Sequence, residues 1–330
     1  TYTYSADSTE AGAPKSEDEA TAMTEASKQA AEKDAQALLN KLAADGSNFD
    51  ETVQSYEGSE TFAGHKEVTI ANASSALQTW LKEEGVPGLY GVDTRQLTRI
   101  IRENGVMNAM ICDEVPADLT PVKTYAVTGQ VAAVTRKEAE VFPAVGEEKA
   151  SVCLIDYGVV RHVIRALQER GCKVTAVPAG TSAEEILALN PNGVVLSGGP
   201  GDPAENVAEI EQVKALLGKV PVFGIGLGHQ LVALATGAAI YKLPYGHRGG
   251  NQPVRDLKGI RTYITSQNHG YAVDGETVKE GEVRFVNLND KTCEGIDYPD
   301  WNAFTVQFHP EASSGPHDTS FLFDRFIDNM

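Results

Sequence analysis

His309 and Glu311, in TVQFHPEASSGPHD, are the two side chains whose types and spacing suit proton chemistry. They stand two apart just after an apolar run. On an extended segment they project from one face, so the carboxylate can hold the imidazole in one tautomer and stabilise its cation. Pro310 between them stiffens the backbone. A base oriented this way serves a nucleophile, and a stretch built to present one lies upstream in KVPVFGIGLGHQLVALATG, residues 219–237. Val220, Val222, Phe223 and Ile225 form a short apolar run of the kind found in buried strands. Gly224, Gly226 and Gly228 mark a turn. Leu231, Leu234 and Ala235 then recur at helical spacing, and Gly237 stands where a helix stops. Strand, tight turn and helix make a nucleophile elbow, whose tip residue is thrust into an active site. The tip should be Ser or Cys, and here it is Gly226.

Two plainer alternatives stand beside this. A histidine and a glutamate at a strand end are common on surfaces. A glycine-rich turn between strand and helix can cradle phosphate, although this one lacks the GK[ST] ending of a P-loop.

Composition bounds the rest. A length of 330 residues suggests two domains, and 42% apolar residues suffice for ordinary cores. No apolar run is long enough to span a membrane, and TYTYSADSTEAGAPKSEDE lacks a basic then apolar leader, so a cytoplasmic protein is expected. Cys112, Cys153, Cys172 and Cys293 have no CxxC or CxxH spacing, which predicts reduced thiols and no metal site. A net charge of −18 opposes nonspecific nucleic-acid binding and suits a small-molecule substrate.

Residues 1–66 read as an acidic, alanine-rich segment, partly helical or disordered, with a Ser16–Glu19 capping box ahead of a weak stripe, Ala31, Ala35, Leu38 and Leu42. SALQTWLKEEG predicts a helix. GVDTRQLTRIIRENG predicts another, capped by Asp93 or Thr94, with Leu97, Ile100 and Ile101 on its apolar face. Arg95, Arg99 and Arg102 on that helix read as a solvated face. Residues 67–125 form a small domain, and residues 126–150 a linker, with GQVAAVT expected as a strand. From residue 151 strand and helix alternate four times, which predicts a parallel sheet with helices on both faces and a ligand at the carboxyl ends of its strands. TSAEEILALNPNG carries a capping pair, Ser182 with Glu185. After the elbow helix, short alternating segments suggest appended antiparallel strands. A last helix places Phe321, Leu322 and Phe326 on one side.

GIGLGHQLVALATGA resembles the GICLGHQ elbow of class I (triad) glutamine amidotransferases, with Gly226 in the place of the nucleophilic cysteine. GVDTRQLTRIIRENG narrows the resemblance to the small subunit of carbamoyl phosphate synthetase. QNHGYAVD and HPEASSGPHD support it, and it covers roughly residues 68–330. Residues 1–66 depart from that family, and its MTGYQE-like motif, which contributes a serine near the bound glutamine, is absent. The resemblance implies an α/β fold with a mostly parallel, class I amidotransferase-like sheet, preceded by a smaller, atypical or incomplete amino-terminal domain. It implies catalytic roles for position 226, His309 and Glu311, and oxyanion donors at Leu227 and Gly199. It further implies glutamine contacts at Gly199, Gly201, Leu227, Gln230, Asn268, Gly270 and Tyr271. The partners implied are L-glutamine and a large synthetase subunit, and ATP and magnesium are expected there, with no cofactor in this chain. The product would feed arginine or pyrimidine synthesis.

Without a thiol at 226 no γ-glutamyl thioester forms, so hydrolysis is expected to be crippled. The alternative is a noncatalytic homologue that binds glutamine or stabilises an ammonia-dependent synthetase. A third possibility is a hydrolase using Ser197 or Ser266, although neither occupies an elbow.

Overall fold

Along Ala150–Asp156, Val152 and Leu154 pack to one side and Cys153 and Ile155 to the other, and all four are buried. A strand with two apolar faces needs a layer on each. The computed structural model describes residues 77, 79–82, 85, 92–112, 116–312 and 317–330. The capping box and alanine stripe expected within residues 1–66 lie outside the described residues. The chain divides into two compact units, Thr1–Asp93 and Thr94–Met330. In the first, Leu77 and residues 79–82 are helical, as SALQTWLKEEG predicts, and Gly85 takes φ 66°.

In the second unit the elements run α1 (Thr94–Asn104), α2 (Thr120–Lys123), α3 (Gln130–Val134), β1 (Glu140–Phe142), β2 (Ala150–Asp156), α4 (Arg161–Gln168), β3 (Cys172–Pro178), α5 (Ala183–Ala188) and β4 (Gly193–Leu196). They continue with α6 (Val207–Leu216), β5 (Val222–Ile225), α7 (Leu227–Ala235), β6 (Ile240–Asp256), β7 (Thr262–Val273), β8 (Glu282–Asn287), β9 (Cys293–Tyr298), β10 (Ala303–Val306) and α8 (Phe321–Asp328). Ten strands form one sheet in the order β1-β3-β2-β4-β5-β10-β9-β7-β6-β8. β3, β2, β4, β5 and β10 are mutually parallel; β1 and the β9-β7-β6-β8 end are antiparallel. The parallel part is therefore the half that carries the elbow, and the appended antiparallel strands are as expected.

Each face has its own core. On one, α5, α6 and α7 bury Ile186, Val213, Leu216 and Leu231 against Ile155, Leu196 and Val222. On the other, α4 and α8 bury Val163, Ile164, Leu167, Leu322, Phe323 and Phe326 against Val152, Leu154 and Phe223. Phe223 stacks on Phe304 with ring centroids 4.5 Å apart and meets Phe323 edge-on at 5.7 Å. Each such buried ring contributes about 2–3 kcal/mol through burial. The capping box of α5 forms in full: Ser182 Oγ accepts from Glu185 N at 3.2 Å, and Ser182 N donates to Glu185 Oε2 at 2.9 Å. Such a cap is worth about 1 kcal/mol.

Three expectations change. GQVAAVT forms the short helix α3, not a strand. Gly129 enters it at φ 65°, and burying Val131 in the core on that face of the sheet outweighs the β preference of valine. On α8, Phe323 points inward beside Leu322 and Phe326. Phe321 stays 39% exposed, its ring against Tyr263, because four residues at 100° spacing cannot all face one core. His309 and Glu311 do not lie on an extended segment: β10 ends at Val306, and a turn at Pro310–Glu311 brings the pair together.

Candidate active site

The elbow is as tight as its glycines suggest. β5 runs into Gly226 at φ 56°, ψ −109°, and α7 begins at the next residue. A β-carbon on Gly228 would collide with the Leu196 carbonyl oxygen, and one on Gly224 would come within 2.9 Å of the Gly228 oxygen. Glycine at both positions lets the turn fold back on β4 and β5. Gly226 differs: a β-carbon there would find Gly198 Cα at 3.4 Å and the Gln307 carbonyl oxygen at 4.0 Å, which is ordinary contact. The space for a side chain exists, although the backbone lies in a region that side-chain-bearing residues adopt only under strain.

His309 stands on the other side of Gly198, its Cε1 4.0 Å from where a β-carbon of Gly198 would lie. A side chain placed at 226 and the imidazole of His309 would thus border the same glycine. His309 Nδ1 bonds Glu311 Oε1 at 2.9 Å, and His309 N donates to the Ser266 carbonyl at 2.9 Å. Glu311 is 3% exposed and His309 26%, so the carboxylate is shielded behind a ring that reaches the cavity. The hydrogen bond that His309 donates to Glu311 holds the His309 pKa above its ordinary value, against the opposing effect of burial. Ser197 is fully buried, its Oγ accepting from Tyr157 N at 2.9 Å and donating to the Gly198 carbonyl at 2.8 Å. It braces the glycine loop and does not face the cavity, and Ser266 does not line the cavity either.

A cavity of about 580 Å³ gathers the expected residues: Gly226, Leu227, Gly199, Gly201, Gln230, Asn268, Gly270, Tyr271 and His309 all line it. Glu311 lies behind His309. The Gln230 amide nitrogen is committed, donating to the Tyr271 carbonyl at 2.9 Å and to Gln307 Oε1 at 2.8 Å, so its free function is the amide oxygen. Burial and a hydrogen bond to Asp202 raise the pKa of the Tyr271 hydroxyl, which is therefore a neutral donor. Sequence reasoning missed Asp202, Glu205, Lys242, Arg248, Gln130 and Gln307, which share the lining. Lys242 and Arg248 reach it because β6 pairs with β7 across two register shifts, which set Lys242 opposite Tyr271 and Arg248 opposite Asn268. No periodicity in the sequence announces such bulges.

Residues 153–329 match the glutamine amidotransferase class-I family, and residues 45–111 match the carbamoyl-phosphate synthase small chain, CPSase domain. A carbamoyl phosphate synthase small chain of Fusobacterium nucleatum is 47% identical over 266 residues, covering 78% of this chain and 73% of its own. The chain belongs to the carbamoyl phosphate synthase small-chain family. Small chains of Methanocaldococcus jannaschii (48% identical, 77% of this chain and 75% of its own) and Bacillus caldolyticus (47%, 76% and 70%) are similarly close. The match beginning at residue 45 corrects the expectation that residues 1–66 depart from this small-chain family entirely. GSNFDETVQSYEGSETFAGHK has no hydrophobic period from which kinship could be read. Among the described residues no helix is long and apolar enough to cross a membrane.

Behind the cavity this small chain holds a buried polar network. His247 Nδ1 lies 2.9 Å from Gln267 Oε1 and 3.1 Å from Glu294 Oε1, and its Nε2 is 2.8 Å from Asp290 Oδ2. Burial pulls its pKa down, but hydrogen bonds and charges from Glu294 and Asp290 prevail and raise it to about 9. His269, 4.9 Å away ring to ring, is pushed to about 4 by burial and stays neutral. His247, His269 and Glu294 offer ligand atoms within 4.8 Å of one another, close enough for a metal ion; the ring nitrogens and Glu294 Oε1 already hydrogen-bond within the protein, while Glu294 Oε2 is buried without a partner among the described residues. His229, on α7, is pushed by burial to about 3 and bonds Thr305 Oγ1 at 2.8 Å, a neutral packing histidine.

Proposed function

We propose that this chain is the glutamine-binding small chain of a carbamoyl phosphate synthetase, with glutamine hydrolysis crippled at Gly226. The observation that carries it is an elbow with room for a side chain at 226, next to an imidazole already oriented by Glu311. In the intact reaction a thiolate at 226 attacks the carboxamide carbon. His309 Nε2 passes a proton to the departing ammonia, and water, deprotonated by the same nitrogen, releases glutamate. Glu311 keeps Nδ1 protonated and steadies the imidazolium. The N–H groups of Leu227 and Gly199, both lining the cavity, receive the oxyanion. Gly226 supplies no sulfur, so this route loses on the order of 10⁴-fold or more in rate. Ammonia would pass to the large chain, to which ATP and magnesium are assigned.

The second reading is a noncatalytic small chain that holds glutamine or stabilises an ammonia-dependent synthetase, and Gly226 favours it. Glutamate release from the holocomplex separates the two. The chain as it stands should match a His309→Ala control, and Gly226→Cys should gain glutaminase activity. Turnover above that control would refute the crippled reading. Silence from Gly226→Cys with the large chain present would remove position 226 as the nucleophile site. Calorimetry with L-glutamine distinguishes a glutamine holder from a mere prop.

A further inference from the structure

The chain carries 46 acidic against 28 basic side chains, so a cavity lined by two cations, Lys242 and Arg248, departs from its overall charge. In the antiparallel half Arg284 pairs with Asp256 and Lys258 with Glu282, whereas Lys242, Arg255, Arg261 and Lys291 make no ion pair among the described residues. Arg248 lines the cavity and makes no ion pair among the described residues. Its Nη1 is anchored on the Tyr245 carbonyl, and Nη2 lies 3.7 Å from where a β-carbon of Gly270 would be. The guanidinium is thus held by one nitrogen, with the other beside Gly270. It pairs across the ladder with Asn268, so the two side chains share a face of the sheet. Two acids, Asp202 and Glu205, reach the same cavity from the loop after β4, and Asp202 is fixed by the Tyr271 hydroxyl. A phosphate would be drawn to Arg248 but repelled by this acidic pair. A ligand carrying both signs satisfies both walls.

We propose that Arg248 grips the α-carboxylate of the amino-acid ligand while Asp202 and Glu205 face its α-ammonium group, so that the cavity selects a zwitterion. The inference rests on the glutamine reading above and adds the residue that sets head-group specificity. Arginine suits the task because its planar fork can take both oxygens of a carboxylate. A ligand gripped at this end presents its carboxamide to Gly226 and His309.

Calorimetry with L-glutamine and with L-glutaminamide, whose α-carboxylate is replaced by a neutral amide, tests this on the full chain. The unaltered protein should bind glutamine at least tenfold more tightly than glutaminamide. Arg248→Gln should weaken glutamine about 10- to 100-fold while leaving glutaminamide unchanged, and Arg248→Lys should recover part of the loss. Arg248 is exposed, so folding is not at stake, and a thermal melt verifies that. Equal weakening of both ligands, an unweakened Arg248→Gln, or no discrimination by the unaltered protein would each overturn the proposal and leave glutamine binding standing. Failure of the unaltered protein to bind either ligand would instead bring down the glutamine reading and this inference with it.

Discussion

Nδ1 of His309 lies 2.9 Å from Oε1 of Glu311, with the acid in a turn two residues on and almost wholly shielded from solvent. That bond occupies one ring nitrogen and leaves the other for chemistry. It is also what lifts the His309 pKa. In a Gly226→Cys background, Glu311→Gln removes the lift, so the imidazole sheds its proton at lower pH. The acid limb of kcat/KM should move down while kcat falls at least about 100-fold, from loss of the stabilised imidazolium. A pH–rate profile checks both, and a limb that stays put would detach Glu311 from the titration.

Placing a cysteine at 226 should cost stability. Gly226 holds φ 56°, ψ −109°, and a β-carbon there would meet nothing nearer than Gly198 Cα at 3.4 Å, so the expected penalty is backbone strain. That strain is about 1–3 kcal/mol. Urea unfolding of Gly226→Cys should show a lower midpoint with an unchanged slope. A midpoint at or above that of the present chain would mean the turn relaxes around the side chain.

Gly228 and Gly237 answer to different causes. Gly228→Ala drives a methyl into the Leu196 carbonyl and within 2.6 Å of Leu196 Cβ, both in a buried strand. It should destabilise by about 3 kcal/mol or more, or prevent folding. Gly237 has open space around its would-be β-carbon but φ 82°. Gly237→Ala should cost only about 1–2 kcal/mol, the left-handed penalty. Parallel thermal melts test the order.

His247 makes stability depend on pH in the alkaline direction. Its pKa rises from about 6.5 unfolded to about 9 folded through Glu294 and Asp290, with neutral Gln267, Asn287 and His269 also beside it. A raised pKa contributes stability that is fully present below the unfolded value and lost as pH climbs through the folded one. The stability advantage over His247→Gln should therefore be largest near pH 6, about 1–3 kcal/mol, and fade by pH 9.5. Denaturant titrations at both pH values measure it. An advantage that grows with pH would contradict the network.

The elbow was legible because its physics is local. Branched residues before Gly226 and helical spacing after it can fold in one way, and the glycines at 224 and 228 announce a close crossing that the structure contains. The capping pair Ser182–Glu185 was legible for the same reason. GQVAAVT was not, because the burial of Val131 in the core and the bonds of Thr135 to Asp156 and Ala179, at the end of β2 and just after β3, decide its shape, and those partners lie far along the chain. The inward turn of Phe323 and the turn at Pro310 likewise depend on neighbours supplied by the sheet.

The sequence by itself determined the alternating strand–helix order, the glycine-tipped elbow, and the closeness of His309 to Glu311, since each arises between residues near in the chain; it did not determine the turn that orients that pair. Only the tertiary structure decided which charged groups share the cavity. Lys242 and Arg248 stand opposite Tyr271 and Asn268 through a bulged hairpin, while Asp202 arrives from a different loop. Register shifts and long-range closure depend on the packing of the whole sheet, and no window of neighbouring residues contains that information.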